Sequence, residues 1–180
     1  MDVEPADQVP SPSPGGDRGG RGPATRRPGE TRAVLAPVPG VVRPLADVPD
    51  TVFAQGLPGC GLALDPDRDG PVDAVAPVDG RVVVIYPHAF VVAGDDGAAV
   101  LVHLGVDTVQ LRGEGFELLV EKGDLVRAGE PVVRWDPGAV ERGGRSPLVP
   151  VIAMDAPDEA LADLARDRVA AGDRLYAWQG

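Results

Sequence analysis

"APVPGVV" (Ala36–Val42) recurs forty residues later as "APVDGRVV" (Ala76–Val83). Each copy ends one apolar run at a proline and glycine turn and then begins a valine-rich run, which is typical of a strand, a turn and a second strand. Two copies are too few for a solenoid of stacked repeats. They predict two similar strand–turn–strand units packed about a pseudo-twofold axis.

The chain from Ala33 onward consists of similar short runs, separated by Gly, Pro or Asp. With 43% apolar residues, 24 Gly and 20 Pro, it can bury a core and turn often. Several runs are apolar on both faces, as in a closed barrel or a packed sandwich. Residues 33–180 are therefore predicted to form one all-β domain, a compact antiparallel β-sandwich or barrel with a pseudo-twofold repeat and a few short helices.

Two short helices are expected in the second half of the chain. Asp136 is a good N-cap followed by proline, which predicts a helix over about 137–143. Leucines at spacing three predict another helix beginning at Asp155 or Pro157. That helix should end early, because "RVAAGDRLYAW" (168–178) favours a strand, a turn and a strand.

Residues 1–32 differ sharply in composition from the rest of the chain. They contain six Pro and six Gly, and five Arg balance five acidic residues. Such a segment cannot bury enough apolar surface to offset the entropy lost on ordering, so we expect a disordered tail. The net charge of −11 then belongs to residues 33–180.

Charge and cysteine content restrict the possible partners and location. A net charge of −11 repels nucleic-acid phosphates, so a basic protein is the expected partner. The single cysteine, Cys60, excludes an intramolecular disulfide, and we expect a buried, unreactive thiol. There is no apolar signal core and no run near the ~20 apolar residues of a membrane span, which predicts a cytoplasmic protein.

The two histidines are the side chains best suited to chemistry. His103 ends the run "AAVLVHL", and the carbonyl of Gly105 could accept its Nδ1 proton, which would leave Nε2 as a nucleophile. His88 lies in "YPHAFVV", where another strand begins. The two rings could therefore face each other in a shallow site, although a core histidine at 103 and a solvated loop histidine at 88 are also compatible with the pattern.

Three mechanisms could use such histidines. A Ser-His-Asp hydrolase needs a motif such as G-x-S-x-G, which the chain lacks. A zinc site needs three or four ligands, for which one Cys and two His are a poor supply. Phosphoryl transfer to histidine needs a nucleophilic imidazole, a second group to hold the phosphoryl oxygens and an apolar rim that excludes water, and this sequence can supply all three.

"VHLGVDTVQLRGEGF" (102–116) closely resembles the active-site stretch of the glucose-type IIA domain of the bacterial phosphoenolpyruvate:sugar phosphotransferase system, V-H-[FL]-G-[IL]-D-T-V-x-L-x-G-x-G-F. Three more segments resemble that family in the same order, namely "VLAPVPGVVRPLADVPDTVFAQGLPGCGLALDP", "VAPVDGRVVVIYPHAF" and "EKGDLVRAGEPVVRWD". The resemblance covers about residues 33–178. It implies an antiparallel β fold and a phosphocarrier rather than a free-standing hydrolase.

The resemblance also implies roles and partners. His103 would accept a phosphoryl group from the phosphohistidine of the carrier protein HPr, and His88 would stabilise that group. The group would then pass to a cysteine of a IIB domain attached to a sugar permease, so contact with the membrane would be through protein only. Neither a metal nor a cofactor is implied.

Supporting and docking residues follow from the same resemblance. Gly105, Asp107 and Thr108 would support the phospho-acceptor, with Asp107 meeting a basic residue of the carrier. The apolar docking face would consist of Phe53, Tyr86, Phe90, Leu101 and Val109.

One departure from the family concerns the loop that carries His88. Family members commonly have a threonine two residues before this histidine, which orients the ring. Here "VIYPHAF" is about two residues shorter and has no threonine. His88 must therefore be oriented in another way.

Two other functions remain open from the sequence. One is a metallopeptidase-like zinc domain of related β architecture, which would need a third metal ligand within reach. The other is a regulatory binding module that has kept the fold and lost phosphoryl transfer.

Overall fold

The computed structural model describes residues 30–179. Residues 1–29 of the predicted tail lie outside this range, and strand β1 begins at Thr31, two residues before the expected boundary at Ala33. Arg32 is buried there and forms an ion pair with Asp96 of a distant turn.

The described residues form fourteen strands and two short α-helices. The strands are β1 (Thr31–Leu35), β2 (Gly40–Pro44), β3 (Gly59–Pro66), β4 (Val72–Val75), β5 (Gly80–Tyr86), β6 (Ala89–Ala93), β7 (Ala99–His103), β8 (Phe116–Leu118), β9 (Leu125–Val126), β10 (Pro131–Trp135), β11 (Val149–Met154), β12 (Leu161–Ala162), β13 (Arg168–Val169) and β14 (Arg174–Gln179). The helices are α1 (Thr51–Ala54) and α2 (Pro137–Arg142).

Eight of these strands form one curled sheet that makes a half-barrel, in the order β13-β2-β3-β11-β7-β6-β5-β9. Two three-stranded sheets, β1-β14-β12 and β4-β10-β8, share a single hydrophobic core with it. Every strand pair is antiparallel. The predicted all-β antiparallel class is confirmed.

The pseudo-twofold repeat is visible in reciprocal backbone hydrogen bonds. The Leu35 N–H donates to the Pro77 carbonyl at 2.8 Å, and the Val75 N–H donates to the Pro37 carbonyl at 2.9 Å. Each bond therefore joins a residue of one copy to the equivalent neighbourhood of the other. The repeat inferred from Ala36–Val42 is confirmed.

The repeat extends beyond the segments that revealed it. β9 pairs with β5, and β13 pairs with β2 in the equivalent position of the other unit. The Val82 N–H donates to the backbone carbonyl of Asp124 at 2.9 Å, and the Val42 N–H donates to the backbone carbonyl of Asp167 at 3.0 Å. The strand, turn and strand predicted from 168–178 are present as β13, a turn and β14, and β13 takes the place in one unit that β9 takes in the other.

One of the two predicted helices is present. α2 begins at Pro137, and the Asp136 side chain accepts from the Ala139 N–H at 3.0 Å. The helix expected from Asp155 or Pro157 is wrong. Residues 158–160 make a single 3-10 turn and β12 then pairs with β14, because tertiary strand pairing outweighs the local leucine spacing.

Cys60 points into the main core and is 4% exposed. Its thiol donates to the Pro157 carbonyl at 3.1 Å, and burial raises the pKa of the thiol above its usual value. The predicted buried thiol is confirmed. In residues 30–179, no helix is long and apolar enough to cross a membrane.

Candidate functional site

The two histidines are brought together by one hairpin. β6 and β7 are antiparallel with Ala89 opposite His103, so His88, in the turn before β6, lies beside the end of β7. The ring centroids of His88 and His103 are 5.3 Å apart, with an interplanar angle of 64°. The pairing of the two histidines predicted from the sequence is present.

Strand alternation puts His103 on the outer face of the curled sheet. Val100 and Val102 of β7 are fully buried in the main core, so Leu101 and His103 point the other way. This outer face has its own small apolar cluster, formed by Val48, Phe53, Ala63, Val106 and Ile152, with Leu45 and Leu101 packed against it. His103 lies at the edge of that cluster.

Phe53 is the aromatic member of this cluster that contacts the site. Its ring centroid is 5.0 Å from that of His103, at an interplanar angle of 57°. α1 carries Phe53 and is capped by Asp50, whose side chain accepts from the Val52 N–H at 2.8 Å. The capped helix therefore brings an apolar ring and a carboxylate near His103.

A backbone carbonyl anchors the His103 ring. Nδ1 of His103 lies 2.5 Å from the Gly105 oxygen. Because a carbonyl oxygen only accepts, Nδ1 carries the proton and donates it, which leaves the lone pair on Nε2. This is the hydrogen bond expected from the sequence.

The turn that presents this carbonyl requires glycine. Gly105 has a φ of +79°, and a Cβ there would come within 2.6 Å of the Thr108 side chain. Thr108 is fully buried, and its hydroxyl donates to the Leu104 carbonyl at 2.7 Å. The neighbouring Val106 N–H donates to the backbone carbonyl of Ser146 at 2.8 Å, so hydrogen bonds hold the turn from both sides.

Both histidine pKa values are lowered from their usual 6.5. For His103 the main cause is burial, which is opposed by the Gly105 hydrogen bond and by the negative charges of Asp50 and Asp107. For His88 the causes are burial and then the charge of His103. Both rings are therefore mainly neutral at pH 7, the form in which an imidazole nitrogen is nucleophilic.

These pKa shifts make a testable prediction. NMR titration of the free protein should give midpoints below 6.5 for both rings. Asp107→Asn should lower the His103 midpoint further, because it removes a charge that raises this pKa. Asp95→Asn, in the turn at the opposite end of the hairpin, is the matched control and should change neither midpoint. A wild-type midpoint above 6.5 would contradict the burial argument.

Protein stability should follow the same titration. An unfolded chain binds protons to its histidines at a higher pH than the folded chain, whose histidine pKa values are lowered. The stability gained from keeping the rings neutral is therefore present above about pH 6.5 and is lost as the pH falls below that value.

The expected docking residues differ in exposure. Tyr86 and Val109 are 57% and 58% exposed. Phe53 is 9% exposed and Leu101 is half-buried, both in the outer-face cluster. Phe90 is fully buried in the main core, so its assignment to the docking face is wrong, because its register opposite Val102 turns its ring inward.

Sequence reasoning missed three contributors to this surface. Val52 and Leu57 are exposed apolar side chains on and after α1, at 46% and 69%. The negative charge of Asp50 raises the pKa of His103, although the two residues are far apart in the sequence. The aspartate–threonine cap before "VFA" was a usable signal for the helix, but nothing local indicated its proximity to His103. Asp107 was predicted, and it is exposed.

Elsewhere in residues 30–179 the surface offers no metal site and one groove of note. No group of three or more His, Cys, Asp or Glu side chains there could hold a metal ion. A groove of about 480 Å³ is lined by Ile85, Leu118, Leu119, Val120, Glu121, Lys122 and Asp124. Neither histidine contributes to it.

The chain is similar to known proteins of one family. The family model of the phosphoenolpyruvate-dependent sugar phosphotransferase system, EIIA 1, matches residues 32–158. The glucose-specific EIIA component of the phosphotransferase system of Oceanobacillus iheyensis is 39% identical over 121 residues, which is 66% of this chain and 72% of that protein. The protein of the same description from Staphylococcus aureus strain Mu50 is 39% identical over 134 residues, which is 73% of this chain and 79% of that protein.

A solved structure shows the same fold. Glucose permease IIA from Mycoplasma capricolum superposes with a TM-score of 0.76 at 33% identity, covering 82% of this chain and 96% of that chain. The family match extends over the outer-face cluster, both histidines and the turn that anchors His103. The chain therefore belongs to the EIIA 1 family of the phosphoenolpyruvate-dependent sugar phosphotransferase system.

Proposed function

We propose that this protein is a cytoplasmic phosphohistidine carrier for sugar uptake, with His103 as the phospho-acceptor and His88 as the group that stabilises the phosphoryl. One observation carries the proposal above all others. The Gly105 carbonyl holds the Nδ1 proton of His103, so Nε2 is the ring atom left to react, and His88 lies beside that ring. Membership of the family supports a role in phosphoryl transfer.

The transfer step needs no cofactor. The Nε2 lone pair of neutral His103 attacks the phosphorus of a phosphohistidine on HPr whose second ring nitrogen is protonated. The P–N bond to that ring breaks, its electron pair returns to the leaving nitrogen, and the HPr histidine leaves as neutral imidazole. His103 then carries the phosphoryl group on Nε2. Its proton stays on Nδ1, hydrogen-bonded to the Gly105 carbonyl.

Onward transfer reverses the roles. A cysteine thiolate of the IIB domain attacks the phosphorus, the P–Nε2 bond breaks, and its electron pair returns to Nε2. Because the Gly105 carbonyl has kept the proton on Nδ1, His103 leaves as neutral imidazole rather than as a much poorer anionic leaving group. One carbonyl thus serves both half-reactions.

The surface around the histidines suits partners of the expected kind. Tyr86, which stacks on His88, and Val109 are exposed apolar side chains available for contact with a partner. Asp50 and Asp107 add negative charge next to His103. A partner with an apolar face and a basic rim fits this arrangement, and such association is fast, weak and sensitive to salt. HPr and the IIB domain of a permease would then share one docking face.

The direct test is phosphorylation in a reconstituted system. The protein is incubated with phosphoenolpyruvate, the first enzyme of the system and HPr, and the phosphate bound per chain is measured. We expect one phosphate per chain that is lost in acid and retained in base, as phosphohistidine is. No uptake by folded protein would favour a regulatory module that has lost transfer. Stoichiometric zinc in the isolated protein would favour the metallopeptidase-like alternative.

A further inference from the structure

His88 is carried by an unusually short connection. β5 ends at Tyr86 and β6 begins at Ala89, and these two residues are paired, so the hairpin loop consists of Pro87 and His88 alone. Proline fixes its own φ near about −65°. The Leu104 N–H also donates to the His88 carbonyl at 2.7 Å. The backbone of His88 is therefore held closely.

The ring of His88 is held differently from that of His103. Within residues 30–179, no group hydrogen-bonds to either nitrogen of the His88 ring, whereas His103 has the Gly105 carbonyl. Its neighbours are two other rings. Tyr86 is nearly parallel to it, at 5.8 Å and 16°, and His103 meets it at 64°. The Tyr86 distance lies in the range of offset aromatic stacking.

A second segment passes close to the loop. Gly113 has a φ of +86°, and a Cβ added there would lie 3.3 Å from Cγ and 3.7 Å from Cβ of Pro87. Gly113 ends a segment that begins at Gly105. Residues 105–113 therefore bind Nδ1 of His103 at one end and pass close to Pro87 at the other, where a side chain at 113 would contact the proline ring.

We propose that Tyr86 and Gly113 are the positioning residues of His88. Tyr86 sets the plane of the His88 ring by stacking on it. Gly113, which has no Cβ, lets Pro87 pack where the two-residue loop directs the ring at His103. The inference rests on the proposed function for its kinetic consequences, but its structural part can be measured in unphosphorylated protein. It gives Tyr86 a role in addition to surface contact with partners. It also leaves the ring nitrogens of His88 free to meet the phosphoryl oxygens.

Tyr86→Leu and Tyr86→Phe test the stacking. In Tyr86→Leu we expect the His88 ring resonances to shift, its titration midpoint to rise toward 6.5 as cover is lost, and onward transfer at saturating IIB to fall about 2- to 10-fold, the range supplied by an aromatic pair. Tyr86→Phe keeps the ring and should restore all three. A pure docking role predicts a different result, a raised KM with unchanged transfer at saturating IIB, and that result would overturn the proposal.

Gly113→Ala and Gly115→Ala test the seat of Pro87. The two glycines have nearly equal φ angles, +86° and +84°, so alanine costs similar backbone strain at both. Only position 113 adds a contact with Pro87, since a Cβ at 115 meets nothing within 4 Å. We expect Gly113→Ala alone to shift the His88 resonances and slow onward transfer. Equal effects of the two variants would contradict the proposed seat.

Different results would contradict the carrier function and the positioning role of Tyr86 and Gly113. If wild-type protein takes up no phosphate, the carrier function is wrong, while the resonances of His88 still test its positioning. If wild type transfers normally and Tyr86→Leu and Gly113→Ala leave both the resonances and the transfer rate unchanged, the carrier function stands and the positioning role is wrong.

Discussion

Replacement of His103 by glutamine is expected to abolish phosphate uptake from HPr, reducing the label from phosphoenolpyruvate to background. Glutamine has a similar length, and its amide N–H can still donate to the Gly105 carbonyl, so the turn should persist. An amide nitrogen is not a nucleophile, because its lone pair is delocalised into the carbonyl. The variant therefore removes the reacting atom and little else.

The measurement is acid-labile phosphate per chain after incubation with phosphoenolpyruvate, the first enzyme and HPr. Far-ultraviolet circular dichroism and thermal unfolding should show that His103→Gln is folded like wild type. His88→Gln, which changes the same residue type 5.3 Å away, is the matched control and should still be labelled. Stoichiometric labelling of His103→Gln would overturn the assignment of the acceptor.

His88→Gln is the second variant with a large expected effect. It should accept phosphate from HPr at a rate within a few-fold of wild type, but pass it to the IIB cysteine about 10²–10³-fold more slowly, as when one donor to a transition-state oxyanion is removed. The leaving ring is cationic in both steps, but in acceptance the attacking nucleophile is a neutral imidazole. In onward transfer, an anionic thiolate approaches an anionic phosphoryl, so a nearby N–H donor matters more.

Rapid-quench measurement of the two half-reactions separates these effects. Label is first loaded onto His88→Gln from HPr, and its loss to an excess of purified IIB domain is then followed. The decay of the loaded protein without IIB is the blank. Onward transfer at the wild-type rate would contradict a role for His88, and loss of loading with retained folding would show that it acts earlier than proposed.

Much of the fold could be predicted because its signals are local. The proline and glycine turns of Ala36–Val42 and Ala76–Val83 mark strand ends, and the repeat implied their pairing. The N-cap at Asp136 likewise predicted α2 to within one residue of its end. The failed helix after Asp155 shows the limit, since three-residue leucine spacing cannot be told from a 3-10 turn followed by a short strand until β14 is in place.

The site divides in the same way. The Nδ1 bond of His103 joins residues two apart, so a short-range argument was enough to predict it. Phe90 was misplaced because the register between β6 and β7 decides which face it joins, and a shift of one residue exchanges the faces. Asp50 was missed for a related reason, because α1 reaches His103 only across the outer face of the curled sheet.

The sequence by itself determined the antiparallel β class, the repeat, the family resemblance and the carbonyl anchor of His103. These depend on residue types and on spacings of a few residues, over which backbone geometry is predictable. Only the tertiary structure decided which apolar side chains are exposed, which carboxylates lie near His103, and which rings surround His88 in its two-residue loop. Those features depend on strand register and on contacts between distant segments, such as Gly113 against Pro87, that no local pattern encodes.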